Sequence, residues 1–347
     1  MPPLRYIESM IVRSYKSVDD LWLEAVKLIS KNKSNQGICA RLDNPLHSFL
    51  WNTTRDMKAL KACAELLFLF DFSYDANFIQ TYSPKTKVVD GRAINSFGPH
   101  LRPQLAALIE TLREDPESDY AILSPWEGLN SQHLGYFKDY EGAEPNHLIS
   151  VQFKYDGDRL NVFLNYRTVD VWELPYDVFI WSNILSIVGG FCLLPIGFVQ
   201  VSSPEATLPK HIDTNKVIEG YSFKKWQRPL KINNLHLFEI EDPIGYLEWA
   251  SCLEEIMRCD FTFDNSYTDL LKFVPFSSLS NCLCAIYVRY AITTLESIPT
   301  KRSRRIERVG RLIKVLGDSN DIRLLQKVAL DIGKMYSYDI KFSKGKA

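Results

Sequence analysis

The clearest pattern of apolar and polar positions lies in the middle of the 347-residue chain. Residues 151–155 and 160–166 alternate or run apolar on either side of the turn Asp156-Gly157-Asp158. The Asp-Gly pair supplies the positive φ that a tight hairpin needs. An apolar segment opened by Pro175 follows. The pattern therefore predicts two hairpin strands and then the start of a helix.

Patterns of this kind divide the whole chain into three parts. Residues 1–40 carry apolar positions at helical spacing over 18–29, which predicts one amphipathic helix followed by a polar linker. Residues 41–238 alternate helical and strand patterns, which is typical of an α+β domain with a large sheet. Residues 239–347 have a helical pattern and predict a C-terminal helical extension.

Within this extension, basic residues recur along one predicted helix over residues 301–314. Such a stripe is compatible with a nucleic acid or an acidic partner. A solvated helix face is the alternative, and we favour it because Glu307 interrupts the stripe and no aromatic residues are interspersed. We therefore do not expect nucleic-acid binding.

Composition and cysteine spacing narrow the class of protein. The formal net charge of −1 argues against a bulk polyanion-binding protein. The seven cysteines show no Cys-x-x-Cys spacing and no histidine cluster joins them, so neither a zinc site nor a disulfide framework is indicated. The chain opens without an apolar signal core, and its longest apolar stretch, 178–201, is interrupted by an asparagine, two glycines and a proline. We expect a cytoplasmic protein with free thiols, no metal and no membrane span.

Polar side chains stand at the end of the second predicted hairpin strand. Arg167, Thr168 and Asp170 place a guanidinium, a hydroxyl and a carboxylate just before the apolar segment. At a strand end these groups favour a site that binds an anion and donates hydrogen bonds. The alternative is a surface ion pair between Arg167 and Asp170.

The order of several short motifs resembles the core of the thymidylate synthase superfamily, which includes the deoxycytidylate and cytidylate hydroxymethylases. Family members have Cys-His, Gln-Phe, Gln-Arg-Ser-x-Asp and Pro-Phe-Asn in this order and at nearly this spacing. Upstream segments resemble the family's Thr-Thr-Lys and its Glu-Leu-Leu-Trp-Phe-Leu helix, and the resemblance covers roughly residues 35–205. The matching segments here are Thr53-Thr54-Arg55, Ala64-Glu65-Leu66-Leu67-Phe68-Leu69, Gln152-Phe153, Asn165-Tyr166-Arg167-Thr168-Val169-Asp170 and Leu174-Pro175-Tyr176-Asp177.

The resemblance implies roles for Glu65 and Asp177. Glu65 matches the family glutamate that manages protons on the base, and desolvation in an apolar helix would raise its pKa. Asp177 occupies the position of the asparagine that reads uracil, where hydroxymethylases acting on cytosine carry aspartate. A carboxylate suits the amino group and a protonated N3 of cytosine, whereas an amide pairs with N3–H and O4 of uracil. The alternatives are an exposed or capped glutamate and an aspartate that caps the helix after Pro175.

The family's nucleophilic cysteine should lie five residues before Gln152, where this chain has His147. A thiolate adds readily to C6 of a pyrimidine, whereas imidazole is a much poorer partner for this reaction. We therefore do not expect the ordinary covalent mechanism. His147 is a candidate general acid–base, and a structural histidine beside an apolar strand is the alternative.

Other ligand contacts of the family are also missing. Asp119-Tyr120 stand where a pair of phosphate-binding arginines is expected, and a carboxylate there would repel a phosphate. Ala206 and Leu208 stand where a ribose-binding His-x-Tyr is expected, and Glu173 replaces a Leu-Gly pair. The scaffold is thus predicted to be retained while the ligand contacts are rewritten.

Two classes of function remain. The first is an enzyme that transfers a one-carbon unit to C5 of a cytosine nucleotide, or performs related chemistry on a nucleoside or derivative. The second is a catalytically inactive scaffold that binds a ligand or a partner. Convergence of the candidate residues on one cavity would favour the enzyme.

The resemblance further implies a large mixed sheet with flanking helices, a homodimer paired back to back through its sheets, and a reduced folate, 5,10-methylenetetrahydrofolate, as cofactor. The residues assigned under the enzyme hypothesis are Glu65 and His147 for catalysis; Arg167, Thr168, Asp170 and Asp177 for substrate binding; and Arg55 and Trp126 for the cofactor.

Overall fold

The computed structural model describes residues 13–31, 36–45, 48–50, 54–55, 57–71, 76–84, 86, 88–89, 91–93, 98–125 and 147–221. The predicted extension at 239–347, with its basic stripe, and the predicted cofactor residue Trp126 lie outside these residues.

A mixed sheet of seven strands forms the centre of the described fold. Its strand order is β1-β2-β9-β7-β6-β5, β8 pairs alongside β9, and β3 and β4 form a separate two-stranded ladder. The pairs β1/β2, β7/β9 and β8/β9 are parallel, whereas β2/β9, β5/β6 and β6/β7 are antiparallel. The strands are β1 Arg13–Tyr15, β2 Gln36–Leu42, β3 Val88–Val89, β4 Arg92–Ala93, β5 Ile122–Leu123, β6 Leu148–Tyr155, β7 Leu160–Tyr166, β8 Val169–Asp170 and β9 Ile196–Thr207.

Helices cover one face of this sheet, so the predicted α+β class is confirmed. The helix at the N-terminal end of the chain, predicted over 18–29, is present and shares the core of the sheet. The helices are α1 Val18–Lys31, α2 Ala59–Asp71, α3 Ala76–Tyr82, α4 Gly98–Glu114, α5 Leu174–Cys192 and α6 Thr214–Glu219.

The helix α5 is the core helix of the fold. It packs against α1, α2, α4, β7 and β9, and a helix that is apolar all round must be buried in this way. Within the described ranges it is the one helix long and apolar enough to cross a membrane, and 89% of its apolar window is buried inside the protein. That burial is typical of a core helix. The helix ends at Cys192, and its C-cap residue Leu193 has a left-handed φ of 55°.

The predicted hairpin is confirmed as β6 and β7. Gly157 in its turn has a φ of 90°, which a residue with a side chain would adopt only with strain. The carboxylate of Asp156 accepts hydrogen bonds from the backbone N–H groups of Asp158 (3.1 Å) and Arg159 (2.8 Å). The turn therefore satisfies its own polar groups and sets the register of the two strands.

Side chains alternate between the two faces of the sheet. Along β9, buried and half-buried residues alternate regularly, with Val199 and Val201 facing the helices. Phe198 and Gln200 lie on the opposite face, which is half-buried within the described fold.

Candidate functional site

Six charged side chains gather where α2 meets the start of α5, and we call them the Glu65–Asp177 cluster. Lys61 and Glu65 lie one turn apart on α2, whereas Glu173 is the N-cap residue of α5 and Asp177 lies in its first turn. The β8 strand and the segment before α2 supply one residue each. The cluster consists of Arg55, Lys61, Glu65, Asp170, Glu173 and Asp177.

Glu65 is held in a position where it titrates near neutral pH. Its Oε1 lies 3.6 Å from Nζ of Lys61, and its side chain is 23% exposed. Burial, together with the charges of Asp177 and Glu173 and against the lowering effect of Lys61, raises the pKa of Glu65 to about 7. A carboxyl group with a pKa near the working pH is suited to both giving and taking a proton.

Asp177 is the second carboxyl group of the cluster with a strongly raised pKa. Burial raises this pKa to about 7, while a hydrogen bond from Tyr166, whose Oη lies 3.0 Å from Oδ2, opposes the rise. The alternative role of Asp177 as a helix cap is wrong, because Glu173 is the N-cap residue and Asp177 lies inside the first turn. Asp177 thus pairs with a side chain rather than with the free N–H groups of the helix.

The two cations of the cluster are engaged by Glu173. Its Oε1 lies 3.6 Å from Nη2 of Arg55, and its Oε2 lies 2.7 Å from Nζ of Lys61. Arg55 is only 4% exposed and also donates from Nε to the carbonyl oxygen of Trp172 at 2.6 Å. The cations also stack on aromatic rings, with Arg55 over Trp172 and Lys61 over Tyr176. These contacts hold both cations in fixed positions against the start of α5.

Asp170 lies at the edge of the same cluster. Its Oδ1 accepts a hydrogen bond from the backbone N–H of Trp172 at 2.8 Å, and burial raises its pKa. The alternative ion pair with Arg167 is not among the salt bridges of the residues that the structure describes. Asp170 therefore shapes the turn that leads into α5.

The remaining predicted site residues lie at the outer end of the hairpin. The backbone N–H of Arg167 donates to the carbonyl oxygen of His147 at 2.8 Å, and both side chains are exposed. The hydroxyl of Thr168 donates to Oε2 of Glu205 at 3.3 Å. The structure thus brings Arg55, Glu65, Asp170 and Asp177 together, and it places His147, Arg167 and Thr168 on the surface side of the same strand end.

Sequence reasoning did not single out Lys61, Tyr166 or Tyr176 as members of the site. Lys61 and Glu65 are four residues apart on one helix, and this spacing alone predicts an ion pair between them. Tyr176 accepts a hydrogen bond from the backbone N–H of Lys58 at 3.0 Å, which links α5 to the start of α2. This link is non-local and has no counterpart in the sequence pattern.

No protein-family model matches the chain, and no curated protein matches it. Within the described ranges, no group of three or more His, Cys, Asp or Glu side chains is arranged to hold a metal ion. The three described cysteines are free, and burial raises the pKa of Cys192 to about 12, so that thiol is not a ready nucleophile. Among the described residues of the cluster, Glu65 and Asp177 are the groups whose pKa is raised to about 7.

Proposed function

We propose that the protein is a divergent thymidylate synthase-like enzyme that acts on a pyrimidine nucleotide, nucleoside or derivative, with cytosine as the favoured base. One observation carries the proposal. Glu65 of α2 and Asp177 of α5, more than 100 residues apart in sequence, come close enough for the charge of Asp177 to raise the pKa of Glu65. They are the two residues to which the resemblance assigns proton transfer and base reading. Perturbed carboxyl groups that meet across two elements are typical of functional sites.

In this proposal Glu65 exchanges protons with the bound ring or with an ordered water molecule. Because its pKa is about 7, both the protonated and the ionised form are populated at neutral pH. Lys61 stabilises the ionised form from 3.6 Å, and burial stabilises the protonated form. The residue can therefore act in either direction without a large energetic cost.

Asp177 reads the base in this proposal. The chemistry of a carboxyl group matches the N3 and amino-group edge of cytosine, with one proton shared between the carboxyl group and N3. Because the pKa of Asp177 is about 7, that proton is available at neutral pH without protonating the free ring. An ionised carboxylate would instead face the O4 oxygen of uracil unfavourably.

The described residues do not fit the folate contact that the resemblance assigns to Arg55. The guanidinium is almost fully buried, is stacked on two aromatic rings and is bound to Trp172 and Glu173. An anionic tail would have to displace these contacts to reach it. We therefore assign no step to folate, and the ring is activated in this proposal by general acid–base and electrostatic means.

The second candidate function is a catalytically inactive scaffold of the same kind, and the engagement of the cations favours it. Glu173 satisfies both Arg55 and Lys61 from within the protein, so neither cation presents an open charge to a ligand. In this alternative the cluster is an internal ion-pair network that fastens α2 to α5. The raised pKa of Glu65 and of Asp177 favours the enzyme, because a purely structural network gains nothing from carboxyl groups that titrate near neutral pH.

We further propose a homodimer in the cytoplasm, paired through the half-buried face of the sheet. On this face Phe163 and Phe198 pack edge to face with ring centroids 5.4 Å apart, and the guanidinium of Arg41 lies over the ring of Phe198. Aromatic and arginine side chains are enriched in the centres of interfaces. Sedimentation velocity of Phe198→Glu, compared with the parent protein, tests this arrangement, and an unchanged sedimentation coefficient contradicts it.

The experiment that tests the proposed function is a calorimetric titration with cytidine, deoxycytidine, CMP, dCMP, UMP and dUMP. We expect cytosine-selective binding that Asp177→Ala weakens at least about tenfold, because a bidentate pair is lost. The matched control is Asp158→Ala, which removes an exposed carboxylate of the hairpin turn and should leave binding unchanged. Absence of binding by the folded parent protein would contradict the proposal and leave the scaffold alternative.

A further inference from the structure

The hydrogen bond between Tyr166 and Asp177 has a defined direction. Tyr166 is the last residue of β7, is only 4% exposed, and its Oη lies 3.0 Å from Oδ2 of Asp177. Burial and the nearby charge of Asp177 raise the pKa of Tyr166 well above its ordinary value, so the phenol keeps its proton. Tyr166 is therefore the donor and Oδ2 the acceptor when Asp177 is ionised.

This direction determines on which oxygen of Asp177 a proton can lie when the carboxyl group is protonated. When the carboxyl group takes up a proton and keeps this hydrogen bond, Oδ2 remains the acceptor, so the new proton lies on Oδ1. The protonated side chain then has a donor at Oδ1 and, at Oδ2, one lone pair left to accept. In a carboxyl group without such a fixed donor, either oxygen can carry the proton, so donor and acceptor can exchange places.

Resting on the proposed function, we propose that Tyr166 determines the base selectivity of the site by fixing the proton of Asp177 on Oδ1. The side chain then matches a ring nitrogen that accepts, next to an exocyclic amino group that donates, which are N3 and N4 of cytosine. Uracil presents a donor and an acceptor in the reverse order at the same positions. Tyr166 is thus a positioning residue that acts through Asp177 and does not touch the reacting atoms.

The charged groups around Asp177 do not determine which of its oxygens carries the proton. Lys61 and Glu65 face it from α2, and Asp170 and Glu173 face it from the turn that opens α5. Lys61 makes its close contacts with Glu173 and Glu65, so its charge acts on Asp177 from a distance. These charges set how readily Asp177 takes up a proton, whereas the phenol sets on which oxygen the proton lies.

A pH dependence follows from the shared proton. Neutral cytosine needs protonated Asp177, which is populated below about pH 7 and is lost above it. We expect the affinity for deoxycytidine to fall about tenfold for each pH unit above about pH 7, because binding then takes up one proton. Deoxyuridine should bind weakly across the whole range.

The first test compares Tyr166→Phe with Tyr155→Phe in titrations with deoxycytidine and deoxyuridine between about pH 5.5 and about pH 8.5. Tyr155 is a matched control, because its Oη donates to the carbonyl oxygen of Gly157 in the exposed turn. We expect Tyr166→Phe to lower the preference for deoxycytidine about tenfold and to move the pH midpoint of binding upward, since a hydrogen bond that favours ionised Asp177 is lost. Unchanged selectivity and an unchanged midpoint would overturn the inference.

A second pair of variants avoids dependence on Tyr166→Phe alone. In Asp177→Asn, the phenol should hold the amide with its oxygen toward Tyr166 and its N–H₂ in the place of the Oδ1 proton. This variant should keep the preference for deoxycytidine and lose the pH dependence, whereas Asp177→Asn combined with Tyr166→Phe should lose the preference. If Asp177→Asn alone prefers deoxyuridine, Tyr166 does not fix the order of donor and acceptor.

The outcomes separate this inference from the proposed function on which it rests. A parent protein that binds neither nucleoside overturns the proposed function, and the selectivity role of Tyr166 falls with it. A parent protein that selects deoxycytidine, together with a folded Tyr166→Phe variant of equal selectivity and pH midpoint, overturns the role of Tyr166 alone. Circular dichroism of each variant establishes that it is folded.

Discussion

Two aspartates, one in the turn of the β6–β7 hairpin and one packed against its other end, lie in opposite electrostatic environments. Asp156, in the exposed turn, accepts from two backbone N–H groups and from the side-chain amide of Asn161, and these hydrogen bonds lower its pKa. Asp177 packs against the other end of the hairpin, accepts one hydrogen bond from Tyr166, and is buried among other carboxyl groups that help to raise its pKa to about 7. The turn stabilises its negative charge, whereas the cluster opposes it.

In the proposed function, this difference separates a carboxylate that serves the fold from one that is available for chemistry. Three donors around Asp156 stabilise its negative charge and fix the register of the hairpin. Burial of Asp177 beside Glu173 and Asp170 costs stability at neutral pH, and such a cost persists where the group has a use. Each of the following predictions perturbs one side of this contrast.

The largest expected effect is on catalysis by the cluster. Glu65→Gln keeps the shape of the side chain but removes the group to which the proposed function assigns proton exchange, so we expect conversion of the pyrimidine ligand to fall about 100- to 10,000-fold. Mass spectrometry of the reaction products measures this loss. Glu110→Gln, at an exposed position of α4, is the control and should keep full activity. Full activity of Glu65→Gln would make the cluster a structural network like the turn.

The second prediction concerns stability against pH. Because the pKa of Asp177 is raised from its ordinary 3.8 to about 7, the unfolded chain loses this proton first as the pH rises. Stability should therefore fall between about pH 4 and about pH 7, by at most about 4 kcal/mol from this residue, and should level off above that range. Asp156, with a lowered pKa, has the opposite sign: its contribution is lost only as the pH falls through its folded-state pKa.

Asp177→Asn should remove the part of this dependence that comes from Asp177, and the part that comes from Glu65 should remain. The amide has no proton to lose, and removal of the charge also relieves Glu65, whose pKa Asp177 raises. Urea unfolding at about pH 5 and about pH 8 measures the difference, with Asp158→Asn in the exposed turn as control. A parent protein that is equally stable at both pH values would mean that the carboxyl groups of the cluster are ionised at no cost.

The same contrast explains which features the sequence predicts. The hairpin and the start of α5 are local, because the Asp156-Gly157 pair and Pro175 act on neighbouring residues, and both predictions are confirmed. The contacts of the cluster are not local: Lys61 and Glu173 are 112 residues apart. Whether Asp177 caps its helix or pairs with Tyr166 depends on where β7 ends against α5. The periodicity of the sequence does not give this position, so the structure was needed to distinguish the cap from the pair with Tyr166.

The third prediction tests how far the turn serves stability. Asn161 is only 2% exposed; its Nδ2 donates to Oδ2 of Asp156 at 2.9 Å, and its Oδ1 accepts from the backbone N–H of Phe198 at 3.0 Å. Asn161→Ala leaves that N–H without its partner, so we expect a loss of about 1–3 kcal/mol in urea unfolding. Asn165→Ala, in the same strand, is the matched control: Asn165 is half-buried and bonds only Ser150 in the described fold, so its loss should be smaller. Equal losses of unfolding free energy in the two variants would show that the hydrogen bonds of Asn161 in the turn do not add to stability beyond an ordinary strand contact.

The smallest expected effect is a shift in the pKa of Glu65 when its cation is removed. Lys61 lowers this pKa by its charge and by a hydrogen bond, so Lys61→Met should move the pKa of Glu65 upward from about 7. The rise is limited because Glu173, which also loses its partner, is 46% exposed and can turn toward water. Carbon-detected NMR titration of the glutamate carboxyl groups measures it, with Lys154→Met as control because Lys154 pairs with Asp119 at the surface. A Glu65 pKa that stays unchanged would mean that burial alone sets it, and the cluster would then differ from the Asp156 turn by its depth and not by its charges.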